Sequence, residues 1–123
     1  MKKIIVLVSF ALCILLVSCG ITPVFYKNTS VPTFTCVTGI EVSEQRENLY
    51  IYSCMGDNCE ELAEEYMNYL ENEHGFSAGS ERAITHYDKV IGTIVIMSKD
   101  DQKMAMVGTD TEENTVSVML VER

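Results

Sequence analysis

Basic residues are scarce: the 123 residues hold nine Lys and Arg against eighteen Asp and Glu, giving a formal charge of −9 and a pI near 4.5. Such a chain has no basic surface with which to hold a phosphate backbone by counterion release, so nucleic acid is excluded as a natural partner. Proline occurs only twice, and with 47% hydrophobic residues the chain is too apolar to be a disordered acidic tail. At 13.8 kDa it is one domain, which rules out a multidomain enzyme.

Several signatures of chemistry are missing as well. There is no glycine-rich phosphate loop, no C-x-x-C pair of the thioredoxin kind, no EF-hand loop and no nucleophile elbow. Carboxylates abound, but their spacing places them on a helix exterior and not in a cleft that would shift their pKa. The expectation is a protein that is not an enzyme and carries no cofactor. No apolar run approaches the ~20 residues that a spanning helix needs.

What is present begins at the N-terminus. Met1-Lys2-Lys3 is followed by Ile4 to Val17, fourteen residues of which only Ser9 is polar. A short basic start and an apolar core of this length make an export signal. The run ends in Leu16-Val17-Ser18-Cys19, which resembles the lipobox of bacterial lipoproteins. That resemblance implies cleavage before Cys19 and a diacylglycerol thioether on its sulfur. It also implies N-acylation with chains such as palmitate. Two acyl chains satisfy the two-signal requirement for stable anchoring. The expected address is the extracytoplasmic face of the cell membrane.

Removing residues 1–18 takes away two lysines and no acid, so the formal charge moves from −9 to −11 on the remaining 105 residues. A body so acidic is repelled by anionic headgroups and is expected to hang from its lipid instead of lying on the bilayer. Residues 19–32 read as lipidated cysteine and tether, because two prolines and a polar stretch break any period. Asn28-Thr29-Ser30 matches a glycosylation pattern that a bacterial address makes incidental. Residues 33–123 read as one α+β domain.

Within that domain Asp57 or Asn58, followed by Glu60 or Glu61, forms a capping-box arrangement. Cys59, Leu62, Ala63, Tyr66, Tyr69 and Leu70 then recur at three- and four-residue steps, predicting a buried helical face from about Asn58 to His74. Gly75 and Phe76 provide a Schellman-type ending. Before the helix, Thr33 to Val42 is expected to pair with Asn48 to Cys54 as a hairpin around Ser43 to Glu47. After it, strands are expected over Arg82 to Lys89, Thr93 to Ser98, Lys103 to Thr109 and Thr115 to Val121, with turns at Gly92, Lys99 to Gln102 and Asp110 to Asn114. Short connections imply antiparallel neighbours. The predicted architecture is α+β, one amphipathic helix packed on an antiparallel sheet of about four to six strands. Tyr66-x-x-Tyr69-Leu70 ending in Gly75-Phe76, then a meander, resembles the mature domains of many small Gram-positive lipoproteins. This second resemblance implies no activity.

Cys13 leaves with the signal and Cys19 takes the lipid, so Cys36, Cys54 and Cys59 are the disulfide candidates on the oxidising side. Cys54 and Cys59 are near enough in sequence to clip strand to helix, whereas a symmetric hairpin would set Cys36 opposite Cys54, so connectivity stays open. Glu60, Glu61, Glu64, Glu65, Glu71 and Glu73 have no basic partners on the helix and are expected to form a solvated acidic face. The alternative is a dock for a basic partner or a weak divalent-cation site.

Met104 and Met106, placed on one strand face and helped by Met97 or Met119 and by His86, could present soft ligands to Cu(I). The competing reading is gap-filling in the core. His86 and Asp88 are expected on one strand face with a cross-strand polar partner. The expected function is a lipid-anchored, non-catalytic binding or accessory module of the bacterial envelope, bound to the membrane and to an envelope protein or ligand. Its contact surface would be strand edges, or Tyr50 and Tyr52 facing outward. The alternative is a Met-rich copper-binding protein.

Overall fold

The computed structural model describes residues 21–121; the expected export signal and lipobox, with Cys13 and Cys19, lie outside them. The order of elements is α1 (Phe34–Thr38), β1 (Glu44–Arg46), β2 (Leu49–Ser53), α2 (Cys59–His74), β3 (Ser77–Ala78), β4 (Arg82–His86), β5 (Lys89–Lys99), β6 (Gln102–Asp110) and β7 (Thr115–Leu120). All strands join one antiparallel sheet in the order β1-β2-β7-β6-β5, with β3 and β4 sharing the outer edge of β5. The α+β class stands, with seven strands and two helices among the described residues, not four to six strands and one helix. No helix among them is long and apolar enough to cross a membrane.

Helix α2 follows its sequence closely. Cys59, Ala63, Tyr66 and Leu70 form the buried stripe, with Leu62 and Tyr69 half-buried at its flanks, and the six glutamates face water. Gly75 closes it at φ 70°, and the Phe76 N–H donates to the Leu70 carbonyl at 3.1 Å, which seats the Phe76 ring in the core. The capping box does not form, since Asn58 makes no side-chain cap bond; Glu60 and Glu61 in the first turn meet the positive end of the dipole instead.

The opening hairpin is displaced. Thr33 to Val42 is not a strand: the Thr33 hydroxyl accepts the Cys36 N–H at 3.2 Å, Gly39 stops the turn at φ 79°, and Phe34 is fully buried, so the segment folds as α1. Its strand partner slides into the expected loop, where Glu44 faces Ile51 and Arg46 faces Leu49. Gly92 is likewise not a turn. It lies inside β5 opposite Asp110, and the reversal comes earlier, at Tyr87-Asp88, both at positive φ. Asp88 therefore sits in a turn and not on a strand face with His86.

One sheet face is covered. Tyr52, Val95, Met97, Ala105, Val107, Val116, Val118 and Leu120 alternate onto it and pack beneath α2 and α1. On the opposite face Ile51, Ile94, Ile96, Met106 and Met119 are half-buried, and no described element packs there.

Cys54 and Cys59 form a disulfide with Cα atoms 5.6 Å apart, joining the end of β2 to the start of α2. Asn114 supports it by bonding both the N–H and the carbonyl of Cys54. Cys36, within α1 and not opposite Cys54 in a hairpin, keeps a free, half-buried thiol. Closing a loop this small is expected to contribute about 2 kcal/mol through the unfolded chain. Urea unfolding with and without reductant, or of Cys54→Ser/Cys59→Ser, should show that loss; a difference under about 0.5 kcal/mol would refute it.

Candidate functional site

A cleft with an exposed apolar rim is built by a stretch expected to be a tether. From Phe25 to Pro32 the chain forms a short hairpin arm: Phe25 bridges Pro32, the Tyr26 N–H donates to Val31 O at 2.9 Å, and the Thr29 hydroxyl closes the turn on Tyr26 O at 2.8 Å. Asn28 takes the left-handed conformation at φ 61°, which asparagine tolerates. Tyr26, Val31 and Pro32 are buried, so the arm belongs to the folded body.

Three phenols fasten it. The Tyr26 hydroxyl accepts the Phe34 N–H at 3.1 Å and shares a 2.5 Å bond with the Tyr52 hydroxyl, while the Tyr66 hydroxyl donates to the Pro32 carbonyl at 2.6 Å. Phe34 packs 4.6 Å from Tyr52 and 5.3 Å from Tyr66, ring centre to ring centre. Burial pushes all three phenols well above the usual tyrosine range, and their mutual proximity adds to the effect. They stay neutral at ordinary pH and act as hydrogen-bonding fixtures.

Between this arm, α1 and β2 lies a cleft of about 400 Å³. Val24, Phe25 and Val42 stand at its mouth, 56%, 44% and 42% exposed, and Tyr50 with its ring 4.4 Å from Tyr26 forms one wall. Half of the six exposed large apolar side chains among the described residues line this cleft, which marks it as a place where apolar matter is presented to solvent. Of the two tyrosines expected outside, Tyr50 is half-buried at the cleft and Tyr52 is 1% exposed, a core residue. Cys36 reaches the same cleft, its thiol donating to the Thr33 carbonyl.

The other candidates are dispersed. Met104 and Met106 do not share a face. The register steps from Lys103 opposite Ser98 to Ala105 opposite Met97, leaving Met104 as the extra residue of a bulge; it packs with the core, while Met106 points to the uncovered face. His86 pairs with Lys89 and lies 3.8 Å from Glu112, beside the β6–β7 turn, with roughly 20 Å of β6 between that end and Met104. The thioethers that the sheet does juxtapose are Met106 and Met119. Among the described residues no three His, Cys, Asp or Glu side chains gather as a metal cluster.

No protein-family model matches the chain, and comparison with curated proteins and with solved structures returns no match. The signal that could have revealed the cleft is the adjacent Phe25-Tyr26 pair, costly to leave exposed in a linker, which the flanking prolines obscure.

Proposed function

We propose that this protein is a lipid-anchored, extracytoplasmic, non-catalytic binding module whose aromatic cleft receives an apolar group at the membrane surface. The cleft carries the reading: its exposed apolar rim begins at Val24, five residues past Cys19. A lipid on Cys19 would hold the start of the rim within roughly 18 Å of the headgroups, the reach of about five extended steps of chain. The aromatic and aliphatic walls suit a hydrophobic or aromatic ligand, with Lys27, Thr33, Thr35 and Glu41 as the polar groups that would orient it, and the raised phenol pKa values suit fixtures better than proton carriers near neutral pH.

The test is Cys19→Ala in bacterial cells. The parent chain should fractionate with membranes and show the mass of cleavage before Cys19 plus acylation. The variant should keep residues 1–18 and lose the acyl mass. Equal maturation and membrane retention of the two would overturn the reading.

A further inference from the structure

We infer that the uncovered face of the sheet pairs with the same face of a second copy of this chain. The register lays two rows straight across the sheet. One runs Glu44, Ile51, Ser117, Gly108, Ile94, Arg82, from β1 through β2, β7, β6 and β5 to β4. The next runs Arg46, Leu49, Met119, Met106, Ile96 over the first five of those strands. The first row is self-complementary in reverse: an acid at one end, whose Oε1 is also held by Arg46 of its own chain at 2.6 Å, and a base at the other, an isoleucine inside each, and two small residues in the middle.

A twofold axis lying in the interface, along the strands and between β7 and β6, brings each edge of one sheet over the opposite edge of the other. Glu44 of each copy then meets Arg82 of its mate, Ile51 meets Ile94, and Leu49 meets Ile96. At the centre the flexible pair Met119 and Met106 meets its own counterpart across the small residues Ser117 and Gly108. The strands stay aligned, as in a two-sheet sandwich.

Charge distribution permits the approach despite the acidity of the chain. The six exposed glutamates of α2 lie on the far side of the sheet. In a face-to-face pair the acidic helices are separated by both sheets, at roughly 10 Å per packed layer, which is well beyond the ~8 Å screening length at physiological salt. Six strands about 4.8 Å apart and about five residues deep give a footprint on the order of 500 Å² per copy. A pair therefore buries about 1,000 Å², enough for a specific but weak association.

Two full-length copies with different C-terminal tags, co-expressed and extracted in non-ionic detergent, test the pairing by reciprocal co-purification. The parent chain should recover its differently tagged copy. Glu44→Lys with itself, and Arg82→Glu with itself, should each recover roughly tenfold less, because both edge pairs become repulsive. Glu44→Lys with Arg82→Glu should return to the parental level, since every edge pair is again of opposite sign. That recovery also shows both variants to be folded. No recovery between parental copies, no loss in the single variants, or no rescue in the mixed pair would each overturn the inference.

Discussion

Gly92→Ala is expected to cost about 4 kcal/mol, a large share of the roughly 5–15 kcal/mol that holds a domain together. A β-carbon at Gly92 would fall 1.7 Å from the Thr109 carbonyl oxygen and 2.7 Å from its carbon, so it meets backbone and no side-chain rotation can clear it. Strand β6 would have to withdraw from β5 at this end, breaking the Gly92–Asp110 register and the bonds from Thr93 to the Thr109 hydroxyl. The close approach of two central strands, not a turn, is what demands glycine here. Gly108→Ala is the control: its nearest obstacle is the Ser117 hydroxyl at 2.8 Å, which can rotate, and a loss of about 1 kcal/mol is expected. Thermal melts of the two variants should differ by ten degrees or more at about 4–8 °C per kcal/mol; equal melts would contradict the strand geometry.

Alkaline unfolding should be abrupt. Tyr26, Tyr52 and Tyr66 are each at most 4% exposed, and their pKa values are raised first by burial and then by neighbouring phenols. In the unfolded chain they release protons near pH 10, whereas in the fold they keep them. Above that pH the unfolded state binds fewer protons, so stability falls at about 1.4 kcal/mol per pH unit for each phenol, or about 4 for the three. Below pH 9 they add no pH dependence. Circular dichroism and tyrosinate absorbance should change together between about pH 10 and 12, and Tyr52→Phe should reduce the slope by roughly a third. Absorbance from all the tyrosines appearing near pH 10 in a still-folded protein would refute the buried triad.

The parts of the fold legible in the sequence were those decided by neighbours in the chain. The stripe from Cys59 to Leu70 and the stop at Gly75-Phe76 need only a 3.6-residue period and one left-handed glycine, and both appear as expected. The C-terminal strands share short polar turns and fall within a residue or two of expectation. The opening half misleads because threonine and valine in Thr33 to Val42 suggest a strand. A local cap at Thr33, a stop at Gly39 and the anchoring of Phe34 among aromatic rings outweigh that preference. The cleft was illegible for a related reason: Tyr26 is buried only because Tyr52 and Phe34, distant in sequence, come to meet it. Likewise, period-2 alternation puts Met104 with Met106, but a bulge arises from the pairing of two strands, which one strand's sequence does not contain. The rows of the uncovered face depend on β2 lying beside β7, a neighbour more than sixty residues away.

The early start of the folded body has a consequence for encounter rates. If Cys19 carries the proposed lipid, an arm that joins the folded body from Phe25 onward would let the domain sweep only a shallow hemisphere above its anchor. Neighbouring molecules confined to that layer meet at effective concentrations far above those of the same number free in the surrounding volume, on the order of millimolar where anchors lie close together. A contact too slight to persist in dilute solution would be populated on such a surface, and crowding of anchors would set how often it forms.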